Sequence, residues 1–155
     1  MASITESIDV QVPVRTAYDQ WTQFEEFPRF MKGVRSVDQI DAAHLRWVAE
    51  IGGKQHAWTA EITEQRPDEL IAWRTIDGHG NAGVVTFRPL RGGETRVTVE
   101  MEHETDGLAE DLGSALGLDS RRVQGDLERF KDLVESRGVE TGAWRGEVEQ
   151  GQRLR

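Results

Sequence analysis

Apolar side chains in the first part of the chain follow two rhythms. Ile4, Ile8, Val10 and Val12 recur mostly at even spacing, which predicts a strand over residues 3–12 with one inward face. Pro13 suits the first turn of a helix, where its missing N–H costs nothing. Val14, Tyr18 and Trp21 then recur at helical spacing, and Phe24, Phe27, Phe30 and Met31 carry the stripe through a second short helix bent near Pro28. Beyond this the period drops to two. Leu45/Trp47/Ala49/Ile51, Trp58/Ala60/Ile62, Ile71/Trp73, Val85/Phe87 and Val97/Val99/Met101 each share one alternating face, while Arg46, Glu50, Glu61, Arg74, Arg88, Arg96 and Glu100 take the other. Turn chemistry separates these runs at Asp41-Ala42-Ala43, Gly52-Gly53, Pro67-Asp68, Asp77-Gly78-His79-Gly80 and Arg91-Gly92-Gly93. Connections this short hold no crossover helix, so neighbouring strands are antiparallel, with one dry face and one wet.

A glycine-broken stretch over residues 105–118 leads to a last helix over about residues 119–137, with Asp119 as N-cap and Gly138 as the C-terminal stop. Val123, Leu127, Phe130 and Val134 form its apolar stripe, and Arg122–Asp126 and Glu128–Lys131 are expected to pair on its solvent side. The stripe belongs on the dry face of the sheet. The expected fold class is therefore α+β: a curved antiparallel sheet wrapped around a long C-terminal helix, with two short helices after the first strand. Residues 1–138 form the expected domain. Residues 139–155 are polar and glycine-containing without a sustained period, so they read as a loose tail in which Trp144 is an isolated aromatic.

Trp47, Trp58 and Trp73 fall on successive strands at the same parity. Aromatics this wide either overfill an ordinary core or wall a cavity, and the interleaved Ala49, Ala60 and Gly83 leave room for the cavity. The expected ligand-contacting set is Phe27, Phe30, Trp47, Ala49, Trp58, Ala60 and Trp73, continued by Val85, Phe87, Val99 and Met101 and closed by Val123, Leu127 and Phe130 on the last helix.

At 155 residues the chain suffices for one domain that buries ~70% of its unfolded surface. It contains no cysteine, which excludes disulfides and thiolate chemistry and suits a cytoplasmic location. The N-terminus lacks the basic start and apolar run of a signal peptide, and no stretch reaches membrane-spanning length, so membrane insertion is not expected. With 19 basic and 28 acidic residues the net charge is -9, which repels phosphate backbones and argues against nucleic acid as a partner. Oligomeric state is not legible.

Catalytic signals are sparse. None of His44, His56, His79 and His103 has metal-helix spacing, and no metal or cofactor is expected. His79 lies in a glycine-flanked turn and His44 on an outward parity, but His56 shares a face with Trp58 and His103 with Met101. These two are the candidate catalytic residues, against the alternative that they sit hydrogen-bonded at strand ends. Ser114 lacks a nucleophile elbow, and Glu100, Glu102 and Glu104 point outward as a solvated row rather than converging on a cation.

The order of strand, two short helices, meander and long terminal helix resembles the helix-grip fold of the START and Bet v 1-like (SRPBCC) superfamily. More narrowly, it resembles bacterial polyketide cyclase/dehydrase-type proteins, a group that includes coenzyme Q-binding START domains. The residues carrying this likeness are Val12-Pro13-Val14, Tyr18 to Trp21, Phe24 to Met31 with Gly33-Val34, Trp47 to Glu50, Trp58 to Ile62, Ala72 to Arg74, Gly83 to Phe87 and Leu127 to Lys131. The superfamily spans lipid carriers, hormone-type receptors, interaction modules and aromatase/cyclase enzymes, so the resemblance implies a hydrophobic small-molecule partner rather than one activity. The favoured expectation is a non-enzymatic binding protein for an aromatic, polyketide-like or quinone-like molecule held between sheet and helix. Two alternatives stand beside it: a polyketide cyclase/dehydratase using His56 or His103 as base, and a protein-interaction module using the acidic surface.

Overall fold

The computed structural model describes residues 2–51, 53–77, 81–103, 120–137 and 142–153. Strand β1 (Ala2–Val10) leads through Pro13 into helix α1 (Val14–Trp21) and a 3₁₀ helix over Phe24–Arg29 that contains Pro28. A meander follows: β2 (Val34–Asp41), β3 (His44–Ile51), β4 (Lys54–Arg66), β5 (Leu70–Thr75), β6 (Asn81–Pro89) and β7 (Thr95–His103). Helix α2 (Ser120–Arg137) comes next, and two short strands, β8 (Val148–Glu149) and β9 (Gln152–Arg153), end the described chain. All strands join one antiparallel sheet whose main path runs β1-β7-β6-β5-β4-β3-β2. This is the α+β helix-grip arrangement, with α2 packed beside β1 and the sheet curved around it. Asp119 and Gly138, expected to bound α2, lie outside the described residues, as do His79 and Ser114.

The alternating pattern sorts as its chemistry requires. Val85, Val97 and Ile62 are fully buried, and Leu45, Ile71, Phe87, Val99 and Met101 nearly so. On the wet face, register sets Asp9 opposite Arg96 and Glu61 opposite Arg74, and both pairs form ion pairs at 2.8 and 3.1 Å. Such exposed pairs are worth ~0.2–1 kcal/mol each and serve chiefly to hold register. The Pro67-Asp68 turn places Asp68 at φ 63, a left-handed conformation that Asp tolerates better than most residues.

A register shift between Ile62 and Glu64 in β4 changes the simple picture. The extra residue turns both Ile62 and Gln65 inward, and buried Gln65 donates through Nε2 to the Tyr18 hydroxyl at 3.0 Å. Burial pushes the Tyr18 pKa up to about 12. Past the shift, β3 no longer runs beside β4, and β8 pairs with Glu64 and Gln65 instead.

The expected loose tail is therefore corrected over residues 142–153. Val148 is buried, the Trp144 backbone N–H donates to Thr22 Oγ1 at 3.1 Å, and Arg145 bonds both Asp19 and Asp68. Asp19 is itself buried near the end of α1, so a charge that would be costly alone is met by Arg145, with Arg15 at 3.6 Å. The absence of apolar period misled because this segment is held mainly by polar bonds.

The Phe130 ring is fully buried, edge-on to Trp21 at 4.9 Å and to Phe30 at 5.3 Å. Phe130→Ala is expected to destabilise the fold by ~3–5 kcal/mol, read from urea unfolding curves at constant m-value.

Candidate ligand cavity

A cavity of about 160 Å³ lies between the sheet and α2. Its sheet wall comes from Leu45, Trp47 and Ala49 of β3, Trp58, Ala60 and Ile62 of β4, Ile71 and Trp73 of β5, and Val99 and Met101 of β7. Trp21, Phe24 and Phe27 close one side, the segment 31–34 another, and Arg122, Val123, Asp126 and Leu127 of α2 cover it.

Strand register explains the tryptophan wall. Trp47 and Trp58 are cross-strand partners, and their rings stack at 5.8 Å with 9° between planes. Phe27 leans on Trp47 from the 3₁₀ helix at 5.5 Å. Trp73 is opposite Gly83, and a methyl group at Gly83 would fall 2.8 Å from the indole ring and 2.5 Å from the Glu100 carbonyl oxygen. The glycine thus seats the Trp73 ring flat against the neighbouring strand.

Of the residues expected from sequence to contact a ligand, Phe27, Trp47, Ala49, Trp58, Ala60, Trp73, Val99, Met101, Val123 and Leu127 line the cavity. Phe30, Val85, Phe87 and Phe130 do not; they are buried in the solid part of the core. For the three phenylalanines the reason is Trp21, which lines the cavity while its ring packs against Phe30, Phe87 and Phe130 at 5.8, 6.2 and 4.9 Å. Parity identified the inward face but carried no depth. Trp21, Phe24, Leu45, Ile62 and Ile71, missed as wall residues, were visible only as members of apolar stripes.

The polar part of the wall was not anticipated. Arg122 and Asp126, expected on the solvent side, line the cavity and tie α2 to the segment after the 3₁₀ helix. Arg122 Nη1 donates to the Lys32 carbonyl at 2.7 Å, and the Lys32 N–H donates to Asp126 Oδ1 at 3.2 Å. Arg129 adds a bond to the Phe30 carbonyl at 2.9 Å and pairs with Asp126. Burial raises the Asp126 pKa above the ordinary carboxylate value despite Arg129 and the Lys32 N–H, which pull it down. Gly33, at φ +89, lets the chain turn closely past Arg122. Lys131 bonds Glu135 at 2.7 Å and the Asp9 carbonyl at 2.8 Å rather than forming the expected pair with Glu128.

Of the two histidine candidates, only His56 has a described side chain. His56 is half-buried and opposite Ala49 in the register, hence on the concave face, but it does not line the wall. The backbone of His103 ends β7, and its side chain lies outside the described residues. His44 is half-buried, with Nδ1 2.8 Å from Asp41, whose hydrogen bond raises its pKa. Among the described residues no cluster of three or more His, Asp or Glu side chains could hold a metal ion, and no helix is long and apolar enough to cross a membrane.

The family model described as polyketide cyclase / dehydrase and lipid transport matches residues 10–131. An uncharacterized 17.2 kDa protein of Streptomyces lincolnensis is 49% identical over 149 residues, covering 96% of this chain and 99% of its own. Among solved structures, a Deinococcus radiodurans protein is similar at TM-score 0.70 and 27% identity, covering 88% of this chain and 98% of its own. A START superfamily protein from Mycobacterium smegmatis gives TM-score 0.71 at 14% identity over 86% of this chain and 97% of its own. The Zhui aromatase/cyclase of a Streptomyces species gives 0.68 at 14% identity over 92% and 99%. At 14% identity the last two speak to the fold alone.

Two outcomes follow from this geometry. Gly83→Ala forces the Trp73 ring or the β6–β7 backbone to move and is expected to destabilise by ~1–3 kcal/mol in urea unfolding. For Asp126 the raised folded pKa means that the folded state takes up its proton before the unfolded chain does. Relative to Asp126→Asn, the wild type therefore carries a burial penalty that is full at neutral pH. That penalty fades as pH falls through the folded pKa towards 3.8. The melting temperature of Asp126→Asn should exceed that of the wild type at pH 7, and the gap should narrow at pH 4.

Proposed function

The chain belongs to the polyketide cyclase/dehydrase and lipid transport family, and from that membership we propose that it binds one small hydrophobic molecule in the cavity between sheet and α2. The observation that carries this reading is the wall itself. Tryptophans 47, 58 and 73 share one interior space with Ala49 and Ala60, an interleaving of wide and small side chains that leaves volume unfilled. A well-packed core has few voids larger than a water molecule, and a mostly apolar cavity favours apolar guests. A guest presenting about 200 Å² of apolar surface, the area of one aromatic side chain, gains ~5 kcal/mol on burial before ordering costs. With no ordering cost subtracted that is a Kd of roughly 0.2 mM at best, so polar contacts or a larger buried area decide whether binding is tighter.

A second reading, proton-transfer catalysis in the same cavity, is favoured by one observation. Asp126 is the one carboxyl group lining the cavity among the described residues, and its pKa is raised by burial, the condition under which a carboxyl group exchanges protons nearer neutral pH. His56 has no comparable position in the described wall. The carrier reading ranks first because Asp126 is already engaged by Arg129 and the Lys32 N–H.

The test is saturable binding. Toluene or p-cresol should raise the melting temperature and change tryptophan fluorescence with the same half-saturating concentration. Ala49→Leu, which extends a side chain into the cavity, should weaken both responses at least tenfold while the apo-protein circular dichroism stays unchanged. No response in the wild type up to the solubility limit would sink the reading, and turnover of a polyketide-like ketone lost in Asp126→Asn would promote the second one.

A further inference from the structure

Resting on the cavity reading above, we infer that the guest is an amphipathic anion, with an apolar body that enters the cavity and a carboxylate that stays at the rim near Lys32 and Arg122. The first ground is a gradient along the wall. Trp21, Phe24, Leu45, Ile62 and Leu127 are buried, Met31, Val34, Arg122 and Asp126 are half-buried, and Lys32 is exposed. The cavity therefore passes from an apolar floor to a polar rim where segment 31–34 meets α2. A charged head costs least at that rim, because it keeps part of its hydration while the body is buried.

The second ground is the sign of the rim. Among the described residues its charged side chains are Lys32, Arg122 and Asp126, and the carboxylate is already held by Arg129 and the Lys32 N–H. Arg35 and Glu50, on the adjoining strands, offset each other as an ion pair. The described rim is thus positive on a chain whose net charge is -9. Lys32 is the sharper clue. Its bonds to α2 are made by its backbone, the carbonyl accepting from Arg122 and the N–H donating to Asp126, so the docking of the helix does not call on its side chain. The Lys32 ammonium forms no ion pair with any described residue. A carboxylate at the rim gains charge-assisted attraction from both cations, while salt at physiological strength screens surface acids farther than about 8 Å away. The expected result is a preference of roughly tenfold for the anion over a neutral isostere.

The experiment compares three probes with one apolar body and different heads, 4-butylbenzoate, 4-butylbenzamide and 4-butylbenzylammonium, by isothermal titration calorimetry at neutral pH and low salt. The wild type should bind the benzoate roughly tenfold tighter than the amide, and the ammonium more weakly than either. Raising the salt should shrink the benzoate's lead and leave the amide's affinity in place. Lys32→Met should cut that lead by about two- to fivefold. Lys32→Glu, which reverses the charge, should abolish it and bring the ammonium level with the amide or above it. Should either variant not fold, the head-group order and its salt dependence in the wild type decide. Equal affinities for the three heads, a lead for the amide or the ammonium, or a benzoate lead unchanged in folded Lys32→Glu would overturn the inference while leaving the cavity reading standing. Toluene separates the two levels. If it binds and none of the three probes does, this inference alone falls; if toluene does not bind either, the cavity reading falls with it.

Discussion

The interior of this protein is organised by one side chain, Trp21, packed against aromatic rings from three other elements. Its ring meets Phe27 of the 3₁₀ helix and Phe30 just after it, Phe87 of β6 and Phe130 of α2, all at centroid separations between 4.9 and 6.2 Å. Edge-to-face contacts of this kind add ~0.5–1.5 kcal/mol each beyond the area they bury. They also divide the space under the curved sheet. On one side of Trp21 the rings close into a solid core; on the other Trp47, Trp58 and Trp73 stand around a cavity. A curved sheet gripping a helix has more interior than one helix can fill, and the placement of Trp21 settles which part is filled from within the chain.

The remaining polar groups keep that partition in place. Arg122, Asp126 and Arg129 tie α2 to the backbone at Phe30 and Lys32, where the 3₁₀ segment passes into β2, so the cover of the cavity is held by directional bonds as well as apolar packing. At the opposite end of the core, the β4 bulge brings Gln65 to Tyr18 and opens an edge for β8. Arg145 joins Asp19 and Asp68 there, with its guanidinium 5.6 Å from the Tyr18 ring centre. Both arrangements use charged groups in partly buried positions, where a bond left unmade is expensive and a bond made is specific.

Fold and family leave activity open, since the same grip supports proteins with different chemistry. Among the described residues its cavity wall combines aromatic surface, small residues between, one carboxyl group already bonded, and one indole N–H without a described partner. A site of that kind has ample means to hold a flat apolar molecule. Asp126 would have to give up bonds that fasten α2 in order to move a proton there.

Local alternation along the chain was enough to determine the strands, their turns, the dry face and the inward stripe of α2, because side-chain direction repeats every two residues in a strand and about every 3.6 in a helix. The parity of Trp47, Trp58 and Trp73, and the room left by Ala49, Ala60 and Gly83, were legible on the same ground. Depth was not. Phe30, Val85, Phe87 and Phe130 share the interior face with the wall residues but are separated from the cavity by Trp21 and by their neighbours in the core, and that separation exists only when distant elements meet. The inward turn of Arg122 and Asp126 required the carbonyl and N–H of Lys32, about 90 residues away in the chain. The docking of residues 142–153 required a β4 bulge that reverses parity at Gln65. Periodicity reports which way a side chain leaves the backbone; only the folded chain decides what waits there to meet it.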